Sequence, residues 1–416
     1  MNGRGLRNPV IAWAMYDWAN SAFATTVMAG FFPTFFSQFW SQGADATTTT
    51  LRLGTANSAA GFIIAVLAPW LGTLADRSAR RKQFVVAWTL LGVAATAALY
   101  FVSRGQWALA AVLYVLGTMG FNGGIVFYDS LLLQVAAPRD YDRVSALGYA
   151  FGYLGGGLLF AVNVAMAVKP QWFGLASAAA AVQFSFLMVA VWWLLFTIPL
   201  AAVVRESPVP NWSGAASGWR ELAATVRSIA GQKSLWLFLI AYWLYIDGVN
   251  TVIKMAVDYG MALGFPASSL LGALLLTQFV AFPAALLFGW LGRKIGAKRG
   301  ILIGVAVYGL LCLYAMFLSS ITEFFVMAVI VGLVQGGVQS LSRSLFGLFV
   351  PEGKSAEYFG FYNMMGKFAT VIGPLLVGVT AALSGNSRAG ISSLVLLFAA
   401  GGLLLWRVQA PGSTAR

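Results

Sequence analysis

Apolar residues gather along this chain into twelve long runs with short polar interruptions between them. The runs cover about residues 10–39, 53–75, 83–102, 107–135, 144–168, 178–204, 234–258, 267–290, 300–319, 323–349, 360–384 and 389–408. A helix needs about 20 apolar residues to cross the hydrocarbon core of a bilayer. Inside lipid a spanning segment must satisfy its backbone hydrogen bonds internally, so each run reads as a helix. The pattern predicts an all-α integral membrane protein of twelve transmembrane helices. An even count puts both termini on one side.

Composition agrees. Of 416 residues, 60% are hydrophobic and 9% charged. A soluble domain carries about 25% charged residues to keep its surface wet. Net charge is +13, which in a soluble protein would point to nucleic acid. Here most of the basic residues sit in alternate loops. One set holds Arg77, Arg80, Arg81 and Lys82, then Arg139 and Arg143. It continues with Arg205, Arg220, Arg227 and Lys233, then Arg293, Lys294, Lys298, Arg299 and Lys354. The opposite loops hold Arg52, Arg104, Lys169 and Arg388. By the positive-inside rule both termini are expected in the cytosol of a multi-pass protein of the plasma (inner) membrane. The segment Met1–Pro9, with Arg4 and Arg7, leads into a run too long for a signal peptide, so the first run is read as a permanent span.

The longest polar stretch, Arg205–Lys233, contains Pro208, Pro210, Gly214 and Gly218, then Trp219–Ile229, which reads as a short amphipathic helix on the membrane surface. It divides the chain into residues 1–204 and 234–416, each with six runs, joined by a cytosolic central loop at 205–233. The two parts repeat each other. Gly72-x-Leu74-x-Asp76-Arg77 after the second run matches Gly289-x-Leu291-x-Arg293-Lys294 after the eighth. Gly123-Gly124 before Pro138 matches Gly336-Gly337 before Pro351. Asp17-x-x-Asn20-Ser21 matches Asp247-x-x-Asn250-Thr251. Three matches in order, at offsets of 213 to 230, indicate two pseudo-symmetric six-helix bundles around a midplane site.

Ionisable residues inside the apolar runs are Asp17, Asp129, Asp247, Lys254, Asp258, Arg343 and Lys367. Each costs about 2.5–3.5 kcal/mol at mid-bilayer unless it faces water or a partner. Two readings stand: a polar cavity inside the bundle, or salt bridges that fix helix packing. Asp17 and Asn20 share a helix face, as do Asp247, Asn250, Lys254 and Asp258. Lys254 and Asp258 are spaced as a simple i,i+4 pair. Asp129 lies nine residues before Pro138 and Arg343 eight before Pro351, so the two occupy near-equivalent depths in opposite halves. An Asp129–Arg343 contact would be a gate between halves. Arg343 as a bidentate ligand for a substrate carboxylate is the other reading. Asp17, Asp129, Asp247 and Lys367 are the candidates for a proton-coupling site. Tyr16, Tyr153, Tyr245 and Tyr362 are candidate cavity walls, with Gln335, Gln339 and Asn363. Gly148, Gly152 and Gly156 form a tandem small face for close helix packing. Gly373-Pro374 and Pro283 predict kinks.

Other chemistries are excluded. With no His there is no His-based metal site, triad or imidazole relay. The single Cys312 leaves no disulfide. No G-x-x-x-x-G-K-[ST] loop is present, so ATP is not the direct driver. No cofactor, no metal and no nucleic acid are expected, and the chain is read as a monomer rather than an enzyme.

The loop Gly72-x-Leu74-x-Asp76-Arg77-x-x-Arg80-Arg81-Lys82 resembles the hallmark loop of the major facilitator superfamily. The resemblance covers essentially the whole chain. It implies a cavity lined by helices 1, 4, 7 and 10. It also implies a cytosolic gate loop (Gly72, Asp76, Arg77, Arg80, Arg81) whose Asp76 faces a helix N-terminus. The second copy departs at Arg293, so gating by that loop should be asymmetric. Within the superfamily, Tyr16-Asp17-Trp18-Ala19-Asn20-Ser21 is more specific. So are Tyr245-x-Asp247-Gly248-x-Asn250-Thr251, Gly336-Gly-x-Gln339-x-x-Ser342-Arg343-Ser344, Phe359-Gly360-Phe361-Tyr362 and Gly366-Lys367. Together these resemble the vacuole-effluxer branch, whose fungal members export amino acids during autophagy. The short chain and compact loops look bacterial.

The expectation is a secondary active transporter working by alternating access. A cavity with both Asp and Arg/Lys groups suits amino acids or similar zwitterions, with proton coupling and export. The alternatives are a carrier of a larger amphipathic solute, such as a drug, lipid or cell-wall fragment, or a non-transporting membrane sensor.

Overall fold

The computed structural model describes residues 8–206, 218–369 and 372–411. Arg4 and Arg7, and Pro208, Pro210 and Gly214 of the central loop, lie outside the described residues. The helices in chain order begin with α1 (Asn8–Ala22), α2 (Phe32–Phe35), α3 (Ala46–Ser78), α4 (Arg81–Ala98), α5 (Trp107–Val135), α6 (Tyr141–Val168) and α7 (Ala178–Val203). They continue with α8 (Gly218–Gly231), α9 (Lys233–Ala262), α10 (Ala267–Ile295), α11 (Ala297–Tyr314), α12 (Ile321–Gly347), α13 (Ser355–Phe368), α14 (Ile372–Ser384), α15 (Ser387–Ser393) and α16 (Val395–Arg407).

Among the described residues, eleven helices are long and apolar enough to cross a membrane. The twelfth run expected from the sequence, the first, is helical over residues 8–40, but in segments. π turns at Phe23–Phe31 and Phe36–Trp40 flank the short α2. No segment of it reaches the length of the other spans, and the change of winding is invisible to an apolar count. The eleventh run is also divided, into α13 and α14. Ala369 leaves the helix with ψ 50°. The break comes just before the Gly373-Pro374 pair that predicts a kink. By contrast α10 runs unbroken through Pro283.

Several helix ends are fixed by local chemistry. Asp45 accepts from the Thr48 N–H at the start of α3, and Ser177 from Ala180 at the start of α7. Ser320 and Glu323 form a capping box on α12. Such caps satisfy donors that have no intrahelical partner. Asp45 lies outside the spans, and the Thr48 hydroxyl and N–H hold its carboxyl below the usual range.

Apolar packing falls into three clusters. Two hold residues of α1 and α3–α7, one near Trp13, Tyr128 and Leu131, the other near Phe32, Trp40 and Trp193. The third spans α9–α16 around Tyr245, Tyr308 and Phe398. The two sets of helices meet where α13 lies on α3 and α5, and where α10 and α12 lie on α6. Glycines make these approaches possible. A methyl on Gly360 would collide with the α3 backbone at Ala68–Pro69, and one on Gly289 would meet Ala146.

Candidate functional site

The sequence leaves open whether Arg343 pairs across the halves, and the structure places it at their interface. Its Nη1 donates to Asp129 Oδ1 at 2.9 Å and lies 3.6 Å from Asp17 Oδ2. The three side chains are 2%, 5% and 13% exposed. Nε and Nη2 of Arg343 donate to the Ser145 hydroxyl and carbonyl oxygens, each at 2.8 Å. Ser145 in turn donates to the Ser340 carbonyl at 2.7 Å. The guanidinium lies over the rings of Trp13, Tyr128 and Tyr149, with centroids 4.9, 5.5 and 4.4 Å away. Asp129 Oδ2 accepts from Asn363 at 3.1 Å, and Asp17 Oδ2 from the Tyr128 hydroxyl at 2.8 Å. A buried charge needs pairing and hydrogen bonds to offset its desolvation. Asp129 meets that need on both oxygens. Asp17 shares a cation already committed elsewhere.

The cluster exists because α1 runs along the glycine face of α6. A Cβ on Gly148 would sit against Asp17 Oδ2 and the Tyr128 hydroxyl, one on Gly152 against Ser21, and one on Gly156 against Thr25. The tandem small face therefore carries Asp17 within reach of Arg343.

A second set of contacts lies toward the basic loops. Asp76 Oδ1 accepts from the Ala356 N–H at 2.9 Å and Oδ2 from the Glu357 N–H at 2.8 Å, capping the first turn of α13. Arg81 Nε donates to Asp76 Oδ1 at 2.6 Å. The carboxylate thus faces a helix N-terminus and a cation together, both favourable for negative charge. Gly72 lies against Ala356 and Glu357 with no room for a Cβ. Arg77 and Arg80 of the same loop are half-buried and exposed, respectively. In the second copy the polarity is exchanged. Gly292, before Arg293, packs against Asp142 in the first turn of α6, and the Ser344 hydroxyl of α12 donates to Asp142. The acid here, Asp142, stands on the partner helix, whereas Asp76 of the first copy stands in the loop motif itself.

Asp247 and Asn250 serve the break in the eleventh run. Asp247 Oδ2 accepts from the Ile372 N–H at 3.0 Å and Oδ1 from Gly373 at 3.1 Å. Thr251 adds a bond to Oδ1 at 3.3 Å. Asn250 donates to the Ala369 carbonyl at 3.3 Å. One helical stripe on α9 thus ties the end of α13 to the start of α14. Lys367 is half-buried at the end of α13, and Lys254 is exposed on α9. The Asp258 half of the expected pair with Lys254 lies outside the described residues.

The candidate cavity walls divide. Tyr153 reaches across the halves to Gln339 Oε1 at 3.0 Å. Tyr362 stacks between Tyr242 (4.2 Å) and Phe346 (4.7 Å). Gln335 and Asn363 are 7% and 8% exposed in the same region. Tyr16 and Tyr245 are wholly buried instead. Tyr16 bonds Thr89 at 3.0 Å inside its own bundle, and Tyr245 bonds Ser342 at 2.7 Å. Asn20 is buried too, its amide nitrogen without a hydrogen-bond partner among the described residues.

Sequence reasoning missed Ser145, Tyr128 and Tyr149. Tyr128 carried a signal: Tyr128-Asp129 repeats the dipeptide Tyr16-Asp17. Ser145 carried none, since its role depends on where α12 lies.

The vacuole effluxer Atg22 like family matches residues 47–415. The chain is 38% identical over 409 residues to YxiO, an MFS-type transporter of Bacillus subtilis, covering 97% of this chain and 95% of that one. It is 23% identical to autophagy-related protein 22-1 of Aspergillus terreus, over 97% of this chain and 89% of the relative. Among solved structures, the human organic anion transporter MFSD10 superposes with a TM-score of 0.73 at 14% identity, covering 97% of this chain and all (100%) of that one. The major facilitator transporter FucP, in its outward conformation, gives 0.73 at 13% identity with the same coverage. These two likenesses fix the fold.

Proposed function

Because the chain belongs to the Atg22-like vacuole effluxer family of major facilitator transporters, we propose that it exports amino acids or similar zwitterions from the cytosol, coupled to protons, across the plasma (inner) membrane. The observation that carries this reading is Arg343 held between Asp17 and Asp129. These contacts lie toward the basic loops, so the structure is read as the state closed to that side, the cytosolic one by the positive-inside rule. Opening that side must part Arg343 from the two carboxylates. A zwitterion then finds a guanidinium for its carboxylate and an aspartate for its ammonium group.

The charge count suggests the coupling. One guanidinium faces two carboxylates, so these three side chains by themselves carry one excess negative charge. A proton on Asp17, the less fully bonded acid, neutralises it. Closure without substrate then favours a bound proton, and substrate binding favours its release. Asp129, with both oxygens bonded, serves as the gate, and the Asp76 cap on α13 as the latch beside it.

The test is uptake of labelled amino acids into proteoliposomes, with and without a pH gradient. Wild type should accumulate particular amino acids under the gradient and exchange them without it. Asp17→Asn should keep exchange and lose accumulation. If folded protein neither accumulates nor exchanges any amino acid, the substrate reading is wrong. The aromatic column of Tyr242, Tyr362 and Phe346 favours the second reading, a larger amphipathic solute, and tryptophan-quenching titrations with such solutes would then be the next measurement.

A further inference from the structure

Both ends of the segment between the two halves grip the latch. At its start, Glu206 accepts from the backbone N–H groups of Arg81 (2.8 Å) and Lys82 (2.5 Å), in the first turn of α4. Lys82 Nζ donates back to the carbonyls of Ala201 and Val204 at 2.8 and 2.9 Å. Glu206 is half-buried, and that burial pushes its carboxyl above the ordinary range against the pull of its two donors. At the other end, α8 packs on α3 and α9, and two of its side chains reach the start of α13. Lys354 Nζ donates to Thr225 Oγ1 at 3.3 Å, and the Ser228 and Tyr358 hydroxyls are 3.4 Å apart. Between these anchors Arg81 holds Asp76, and Asp76 caps Ala356 and Glu357.

The other face of α8 is turned away from the protein. Thr225 and Ile229 are buried, whereas Val226 is 46% exposed and Arg227 is exposed beside it. Lys233 is exposed at the start of α9, and Trp236, one turn further, is 46% exposed. Cations flanked by an apolar side chain and an outward tryptophan are the composition of a surface that meets lipid headgroups. Among the described ion pairs none joins Arg227 or Lys233 to an acid.

We infer that α8 is a lipid-reading element. It rests on the bilayer surface, binds anionic phospholipid headgroups through Arg227 and Lys233, and thereby holds the first turn of α13 against Asp76. The composition of the membrane then sets how firmly the basic face is latched.

The experiment is hydrogen exchange of the full chain in nanodiscs of phosphatidylcholine, alone or with phosphatidylglycerol. The readout is the exchange of amides 355–358, which include the two that Asp76 caps. Anionic lipid should slow these amides several-fold in the wild type. Arg227→Gln with Lys233→Gln should abolish the response, since two cations at an anionic surface amount to roughly 30-fold in binding. Arg227→Lys with Lys233→Arg keeps the charge and should retain it, which separates charge from folding. Thr225→Val with Tyr358→Phe should keep lipid protection of the α8 amides but lose it at 355–358. Equal exchange in both membranes, or a response that survives the double Gln change, overturns the inference. So does the same slowing by inorganic phosphate in phosphatidylcholine alone, which would mean a site for a free anion.

Discussion

The stripe Asp17-x-x-Asn20-Ser21 on α1 and the stripe Asp247-x-x-Asn250-Thr251 on α9 are counterparts in the repeated halves, yet they do different things. Asp17 points across the interface to a cation on the other half. Asp247 stays within its own half and binds two backbone N–H groups at the start of α14. Asn250 completes that splint by bonding the Ala369 carbonyl, while Asn20 is buried with an unpartnered amide nitrogen. What separates the two is the neighbour. Gly148 lets α6 bring α1 close to Arg343, and the divided eleventh run gives α9 free backbone groups to satisfy. Nearly the same residue pattern therefore acquires an ion-pair role in one bundle and a structural role in the other.

The largest effect should come from removing the cation they do not share. Arg343→Gln takes the paired cation from buried Asp129 and Asp17 and leaves them only the bonds from Asn363 and Tyr128, which costs about 3–5 kcal/mol. Thermal unfolding in detergent should drop sharply and exchange should vanish. Adding Asp129→Asn should recover much of the stability but not transport. Next is a crossed comparison of the two aspartates. Asp247→Ala orphans two N–H groups at about 1–3 kcal/mol each, so it should lower the melting temperature at every pH. Asp17→Asn retains an acceptor for Tyr128, so its stability should change by less than about 1 kcal/mol while gradient-driven accumulation is lost. Equal melting losses for the two would mean that the stripes are equivalent after all. Gly148→Ala should displace Asp17 from Arg343, at about 1–3 kcal/mol for overpacking, and reduce accumulation along with stability. The smallest contrast is between the asparagines. Asn250→Ala should cost about 1 kcal/mol, and Asn20→Ala should be close to neutral.

Much of this architecture is legible in the sequence. The apolar runs mark the spans, the offset of 213 brings Asp129 and Arg343 within one position of each other, and the basic loop singles out Asp76. The roles of Asp247 and Asn250 are not legible, because their partners are main-chain atoms of another helix that become available only where that helix stops. The π turns of the first run escape for a similar reason: its residues are as apolar as those of a regular span, and winding leaves no mark on composition. Ser145 is one serine among many until α12 is laid beside it.

The caps made by Asp76 and Asp247 also bear on how such proteins diverge. Both carboxylates bind the main chain of α13 and α14, which every residue type but proline presents alike. The bonds themselves place no demand on the side chains at 356, 357 and 372, although Ala356 and Glu357 are held by burial as well, and Gly373, pressed against Asp247 and Thr251, must stay small. Across a set of homologues these contacts would leave no correlated substitutions. Two of the joints that hold the helices in register would be silent to any search for co-varying pairs, and would surface only as lone invariant acids.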